Sequence, residues 1–84
     1  MIIYGTQDCS NCISAKEELD SLGITYEFLD LAKTKNLKEF LKLRDSMDIY
    51  KPVKERGAVG IPTFILDDES ITINFDEVKE FYGA

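Results

Sequence analysis

The chain has 84 residues, 44% of them apolar and 31% charged, a balance typical of a globular protein and not of a disordered one. Its 16 acidic and 10 basic residues give a formal net charge of −6, which disfavours binding to the phosphates of nucleic acids. No apolar run approaches the roughly 20 residues that span a bilayer, and the N-terminus lacks the basic start of a signal peptide. We therefore expect a single domain over residues 1–84 that works as a cytoplasmic monomer, with no membrane and no nucleic-acid partner.

The first third of the chain shows the alternation of strand and helix that is typical of a βαβ unit. The apolar run at residues 2–4 predicts a strand buried on both faces. A helix is predicted over residues 10–22, and it ends before Gly23, which fits a left-handed helix stop. Alternating apolar and polar residues predict a second strand over residues 24–29, parallel to the first. The inward face of the helix is predicted to consist of Cys12, Ala15, Leu19 and Leu22.

A second helix and a segment without a regular pattern follow. Apolar spacing predicts a helix over residues 37–47, capped by Thr34 or Asn36. Pro52 interrupts any continuation of that helix, so residues 48–60 are predicted to be irregular. The inward face of this second helix is predicted to consist of Leu37, Phe40, Leu41 and Met47.

The sequence ends in a predicted hairpin and a last helix. The segments Thr63-Phe64-Ile65-Leu66 and Ile71-Thr72-Ile73 flank a polar turn, which is typical of two antiparallel strands. Asn74 is placed to cap a helix over residues 76–82. The inward residues of that helix are predicted to be Val78, Phe81 and Tyr82. The order β-α-β-α-β-β-α therefore predicts an α/β fold in which helices flank a mixed four-stranded sheet.

The segment Cys9-Ser10-Asn11-Cys12 lies between the first predicted strand and the first predicted helix. One helical turn separates the two sulfurs, which brings them within bonding reach. Cys9 lies at the helix N-terminus, where unpaired N–H groups and the helix dipole stabilise a thiolate. Cys12 lies on the inward face and is shielded until Cys9 has reacted. We therefore expect Cys9 to attack a disulfide and Cys12 to resolve the resulting mixed disulfide.

Two other interpretations of the cysteine pair stay open. A zinc or iron–sulfur site needs about four ligands. Because the chain has two cysteines and no histidine, a metal would need ligands from a second chain, from added thiols or from carboxylates. The cysteines can also be small buried hydrophobes without a joint role. Their place after a strand in a βαβ pattern favours redox chemistry, so we expect no metal site in this chain.

A second signal lies in Gly60-Ile61-Pro62-Thr63, directly before the third predicted strand. Proline at the start of a strand lacks the N–H that would pair in the sheet. Most X–Pro bonds are trans, but together with the upstream cysteine pair this placement favours a cis Ile61–Pro62 bond. The backbone of Ile61 would then face outward beside Cys9 and pair with an extended substrate segment.

Four segments carry a resemblance to a known family. They are Ile3-Tyr4-Gly5, Cys9-Ser10-Asn11-Cys12, residues 26–30, and Gly60-Ile61-Pro62-Thr63-Phe64. With these segments the chain resembles the glutaredoxins of the thioredoxin superfamily over essentially its whole length. The resemblance implies a thioredoxin-like fold, a dithiol redox activity, a cis-proline at Pro62, and Cys9 and Cys12 as nucleophile and resolving thiol. It also implies glutathione as co-substrate, with no bound cofactor.

Several positions near the cysteines differ from the usual glutaredoxin pattern. Ser10 and Asn11 replace the usual proline and aromatic residue between the cysteines, and Thr6 replaces a basic residue. Asp8 directly precedes Cys9, and we expect its charge to oppose formation of the Cys9 thiolate. Asp8, Ser10 and Asn11 are therefore expected to modulate the reactivity of the site.

The expected glutathione contacts are also altered. The resemblance implies four such contacts, at Ile61, Pro62, Phe75 and Asp76. The Phe75 N–H and Asp76 would hold the γ-glutamyl end, although simple helix capping explains Asp76 equally well. Lys54 and Arg56 lie in the long loop, where charges are usually solvated surface. The alternative is that one of them replaces the missing basic contact.

Taken together, these features predict a dithiol oxidoreductase that reduces protein disulfides or glutathione mixed disulfides. Its expected partners are glutathione and disulfide-containing proteins. Two alternatives stay open: a zinc-binding or iron–sulfur module on the same cysteines, and a redox-responsive interaction domain.

Overall fold

Four strands and four α-helices occur in residues 1–83, the part of the chain that the computed structural model describes. The strands are β1 (Ile2–Gly5), β2 (Glu27–Asp30), β3 (Thr63–Ile65) and β4 (Ile71–Thr72). The helices are α1 (Ser10–Ser21), α2 (Thr34–Ser46), α3 (Lys51–Glu55) and α4 (Phe75–Phe81), with a 3₁₀ turn at Asp48–Tyr50. Among these residues, no helix is both long enough and apolar enough to cross a membrane.

The sheet has the strand order β2-β1-β3-β4. β1 pairs in parallel with β2, with Tyr4 opposite Leu29, and antiparallel with β3, with Ile3 opposite Phe64. β3 and β4 form an antiparallel hairpin. The predicted mixed four-stranded sheet flanked by helices is therefore confirmed.

Apolar side chains cover both faces of this sheet. Because side chains alternate along a strand, Ile3 and Tyr4 belong to different clusters, as predicted for a strand buried on both faces. The first cluster involves α1 and α4 and consists of Ile3, Ala15, Leu19, Phe64, Leu66 and Val78. The second cluster involves α2 and the 3₁₀ turn and consists of Tyr4, Leu31, Phe40 and Tyr50.

Two predicted element starts are wrong. The second strand begins at Glu27 and not at residue 24, because Ile24 donates its N–H to the carbonyl of Leu19 and thereby completes the end of α1. α2 begins at Thr34, three residues early, and neither predicted cap is used. Asn36 lies inside the helix, where its amide donates to the carbonyl of Asp30 at 3.0 Å. The bounds of α1, β3, β4 and α4 lie within one residue of prediction.

The prediction of an irregular segment at residues 48–60 is wrong for its first half. The 3₁₀ turn and α3 occupy Asp48–Tyr50 and Lys51–Glu55. Pro52 lies in the first turn of α3, where the N–H that proline lacks has no helical partner in any case. Proline therefore starts a new helix here and does not only end the preceding one.

Four leucine or phenylalanine side chains that were predicted to face inward are exposed. The exposed fractions are 44% for Leu22, 37% for Leu37, 40% for Leu41 and 42% for Phe81. Phe40 is fully buried, and because each helical residue advances about 100° around the axis, Leu41 turns away from the core. Leu22 lies at the C-cap of α1, beyond its last turn.

Substitution of Phe40 by alanine should destabilise the protein strongly. The ring lies between Tyr4 and Tyr50, each with a centroid separation of 6.0 Å, and its loss leaves a cavity between α2 and the sheet. We expect the free energy of unfolding to fall by about 3–5 kcal/mol. Leu41→Ala is the matched control on the next position, and its expected cost is about 0.5 kcal/mol or less. Urea unfolding of both variants measures the difference, and equal losses would contradict this assignment of the core.

Candidate functional site

Cys9 is the N-cap of α1. β1 ends at Gly5, a short turn follows, and Cys9 has extended backbone angles (φ −86°, ψ 114°) just before the helix begins. Its Sγ atom accepts the backbone N–H of Cys12 at 3.2 Å, and the residue as a whole is partly exposed. The sulfur therefore lies at the positive end of the dipole of a 12-residue helix. The predicted placement of Cys9 at a helix N-terminus is confirmed.

Cys12 lies beneath Cys9 and is fully buried, as predicted. Burial raises the pKa of the Cys12 thiol to about 12, and the hydrogen bond and charge of Cys9 act in the same direction. A backbone hydrogen bond from Thr6 acts in the opposite direction and favours the thiolate. In the reduced protein Cys12 is therefore a protonated thiol at neutral pH.

Gly5 leaves the space that the Cys12 sulfur occupies. A Cβ atom at this position would lie 2.7 Å from Cys12 Sγ and 3.2 Å from the ring of Phe28. Both distances are shorter than ordinary contacts, so only glycine lets the end of β1 pass this close to the thiol.

The second predicted signal forms the wall of a groove that Asn11, between the two cysteines, also lines, whereas Cys9 and Cys12 themselves do not line it. The Ile61–Pro62 bond is cis, as predicted, and Gly60 has a φ of +95°. The groove has a volume of about 600 Å³. One wall is the loop of residues 58–62, which we call the cis-proline loop, and α1 contributes Asn11, Ser14, Ala15 and Glu18. Ile73 and Phe75 also line it, so the groove joins three separate parts of the chain.

Hydrogen bonds from the α2 side hold the cis-proline loop. The Arg44 guanidinium donates to the carbonyl of Ala58 at 2.6 Å and to that of Val59 at 2.9 Å. Thr63 Oγ1 donates to the carbonyl of Gly60 at 2.7 Å, so the neighbouring Tyr50 hydroxyl, at 2.8 Å, is the donor to Thr63. Burial raises the pKa of Tyr50, which keeps this donor protonated. Three successive carbonyls of the loop are thus bonded.

The structure brings only part of the predicted site residues together in the groove. Asn11, Ile61, Pro62 and Phe75 line it. Ser10 is exposed in the first turn of α1. Asp8 is exposed and lines a separate depression of about 350 Å³ that also contains Asp30. Asp76 is exposed at the start of α4. Its N–H donates to the Asn74 side chain at 2.9 Å, which confirms the prediction that Asn74 caps this helix.

The two candidate basic residues have different surroundings. Arg56 lines the groove. Lys54 does not, and its ammonium lies 3.8 Å from the Asp45 carboxylate. Of the pair, Arg56 is therefore the one placed to contact a molecule in the groove. Arg44, Tyr50 and Thr63 were not predicted as site residues, because their contacts with the cis-proline loop join positions up to 15 residues apart.

The two thiols should differ sharply in alkylation. At neutral pH, iodoacetamide should modify Cys9 in the reduced native protein and leave Cys12 unmodified, because Cys12 is buried and protonated. The raised pKa means that Cys12 gains reactivity only as the pH approaches about 12, whereas the unfolded chain should react from near its ordinary value of 9.0. Peptide mapping by mass spectrometry, with and without urea, distinguishes the two sites. Equal labelling of both thiols in the native protein would contradict the geometry.

Gly60→Ala should destabilise the protein more than Gly57→Ala. Both glycines have positive φ values, +95° and +71°, so both variants strain the backbone by about 1–2 kcal/mol. At Gly60 the new Cβ would also lie 2.9 Å from the Tyr50 ring, whereas at Gly57 it meets nothing within 4 Å. We expect a further loss of about 1–3 kcal/mol at Gly60, measured by urea unfolding. Similar losses at both positions would show that the Tyr50 contact is unimportant.

Comparison with known proteins agrees with this geometry. The sequence model of the glutaredoxin family matches residues 1–71. An uncharacterized protein of Haemophilus influenzae (strain ATCC 51907 / DSM 11121 / KW20 / Rd) is 28% identical over 82 residues, covering 96% of this chain and 95% of the relative. No solved structure is significantly similar in the corresponding comparison. The fold is thioredoxin-like, the family is one of thiol–disulfide oxidoreductases, and the chain belongs to the glutaredoxin family.

Proposed function

We propose that this protein is a cytoplasmic, monomeric dithiol oxidoreductase that reduces protein disulfides or glutathione mixed disulfides. One observation carries the proposal. Cys9 is a partly exposed residue whose sulfur accepts the N–H of Cys12 at 3.2 Å, while Cys12 lies fully buried one helical turn away. An accessible nucleophile with a shielded second thiol is the arrangement that two-step disulfide exchange requires.

The proposed reaction begins when the Cys9 thiolate attacks one sulfur of a substrate disulfide. The substrate S–S bond breaks, a Cys9–substrate disulfide forms, and the other substrate sulfur leaves as a thiolate that takes a proton from solvent. Cys12 then releases its proton to solvent and attacks Cys9, which frees the second substrate sulfur. The substrate gains two electrons, and the protein is left with a Cys9–Cys12 disulfide. Two glutathione molecules or a dithiol reductase restore the dithiol.

Formation of the mixed disulfide also prepares Cys12 for its step. In the reduced protein, burial is the largest cause of the raised Cys12 pKa, and the hydrogen bond and charge of Cys9 add to it. Once Cys9 is bonded to a substrate sulfur, it carries no negative charge, so the contributions from Cys9 are lost. The Cys12 pKa then falls, and the hydrogen bond from Thr6 still favours the thiolate. The second thiol is therefore activated only after the first has reacted.

The groove supports binding of an extended substrate segment. Ile61 lines it, and within residues 1–83 we find no hydrogen bond to the Ile61 backbone, which leaves its N–H and carbonyl for a substrate. Arg56 is the one cationic residue lining the groove in this part of the chain. We propose that Arg56 pairs with a carboxylate of glutathione and takes the place of the basic contact that the sequence lacks. Asp8, Ser10 and Asn11 are proposed to modulate Cys9, and Phe75 and Asp76 to contact the γ-glutamyl end.

Exchange of each cysteine for serine should separate the two steps. Cys9→Ser should lower the reduction of both substrate classes by about a hundredfold or more, because the nucleophile is lost. Cys12→Ser should lose activity on protein disulfides but keep activity on glutathione mixed disulfides, since free glutathione can resolve the Cys9–glutathione disulfide. The measurement is turnover of each substrate with glutathione and with a thioredoxin reductase system as electron donor.

The same experiment has a trapping control. Cys12→Ser should accumulate a covalent Cys9–substrate adduct that mass spectrometry detects and that Cys9→Ser does not form. Full activity of Cys9→Ser would contradict the assignment of the nucleophile. Absence of wild-type turnover with both electron donors would instead favour a redox-responsive interaction domain.

A metal-binding module is separated from this proposal by a metal assay. Within residues 1–83, no group of three or more His, Cys, Asp or Glu side chains is placed to hold an ion. A zinc ion or an iron–sulfur cluster would therefore need ligands from outside that part of the chain. Stoichiometric metal in protein purified anaerobically, together with absence of disulfide reduction, would replace the proposed function with metal binding.

A further inference from the structure

We infer that Arg44 is a positioning residue that sets the cis-proline loop, and with it the substrate-binding wall of the groove. The inference rests on the proposed function for its role in turnover. Its structural part rests on the two bonds from the guanidinium to the loop carbonyls of Ala58 and Val59, at 2.6 and 2.9 Å.

Arg44 bonds to the cis-proline loop without lining the groove. All five residues of the loop line the groove, whereas Arg44 does not. Val59, whose carbonyl accepts a hydrogen bond from Arg44, is still 51% exposed. The bonds therefore fix the backbone while leaving the front of the loop open to a substrate.

Arg44 and Tyr50 hold adjacent parts of the loop by different means. Tyr50 acts through Thr63 on the carbonyl of Gly60, and it is a fully buried member of the second apolar cluster. Arg44 is only partly buried, and its partners within residues 1–83 are carbonyls, not carboxylates. Removal of the Arg44 side chain should therefore leave the core intact and increase the mobility of the backbone at Ala58 and Val59, just before the cis bond.

The geometry requires arginine and not merely a positive charge. Nε donates to the carbonyl of Val59 and a terminal nitrogen donates to the carbonyl of Ala58, so one planar group spans two successive peptide units. A lysine ammonium is a single point on a flexible stem and cannot hold both carbonyls with the same geometry. Arg44→Lys should consequently restore only part of what Arg44→Gln loses.

The test compares Arg44→Gln and Arg44→Lys with Lys42→Gln, which removes a charge from the same helix at an exposed position. For reduction of a peptide disulfide by the full chain, Arg44→Gln should lower kcat/KM by about tenfold, mainly through a higher KM. Arg44→Lys should fall between Arg44→Gln and the wild type. Lys42→Gln should stay within about twofold of the wild type. Alkylation of Cys9 by iodoacetamide, which does not need the groove, should change less than about twofold in all three.

A second measurement does not depend on turnover. The Ala58 N–H donates to the carbonyl of Val53 at 2.9 Å, and the Leu31 N–H, just after β2, donates to that of Gly5 at 2.9 Å. In Arg44→Gln, hydrogen exchange of the Ala58 amide should accelerate by about tenfold while that of Leu31 stays unchanged. Lys42→Gln should change neither amide.

The outcomes separate the inference from the proposed function. Wild-type protein without turnover would overturn the proposed function, and the Ala58 exchange rate would then decide the positioning role by itself. Normal turnover with an unchanged KM in Arg44→Gln would overturn the inference while the proposed function stands. Parallel loss of Cys9 alkylation, or equal acceleration at Ala58 and Leu31, would show a general structural role and also overturn it.

Discussion

The hydrogen bond from the Cys12 N–H to the Cys9 sulfur is the interaction on which the site depends. At 3.2 Å it forms only where the chain changes from extended to helical backbone, so the start of α1 determines where the reactive sulfur lies. The same turn buries Cys12 against the end of β1, where Gly5 leaves room for its sulfur. One strand–helix junction thus gives two chemically identical side chains opposite surroundings, one open to solvent and hydrogen-bonded, the other desolvated.

Both faces of the sheet are needed to complete the groove. The thiols belong to α1, which packs on the face of the first apolar cluster, whereas the cis-proline loop is held from α2 and the 3₁₀ turn on the other face. β3 links the two, because Thr63 bonds to Tyr50 on one side and Phe64 packs in the opposite cluster. The relative position of thiol and loop therefore depends on the central strand pairing of β1 with β3.

Local features of the sequence predicted where the two cysteines lie and the cis Ile61–Pro62 bond, whereas residues that act through long-range contacts were not predicted. The Cys9–Cys12 spacing and the Ile61–Pro62 pair act through backbone geometry within a few residues, so their placement was predictable. The roles of Arg44 and Tyr50 depend on how residues 48–60 fold, and that segment was predicted to be irregular because Pro52 was interpreted only as a helix breaker. The exposed Leu41 shows a related limit, since apolar spacing alone does not tell which of two adjacent residues faces the core.

Charge around the groove is sparse, and this constrains how a ligand can be held. Within residues 1–83, the charged residues that line it are Arg56 and Glu18, and Glu18 lies 3.5 Å from the Lys79 ammonium. Arg56 is then the main charge available to a ligand. A tripeptide with two carboxylates would find one cationic partner and, for the rest, apolar walls and free backbone groups. In the proposed function, affinity must therefore come chiefly from backbone pairing at Ile61 and from the shape of the loop wall, which makes the hydrogen bonds that hold that loop part of substrate recognition.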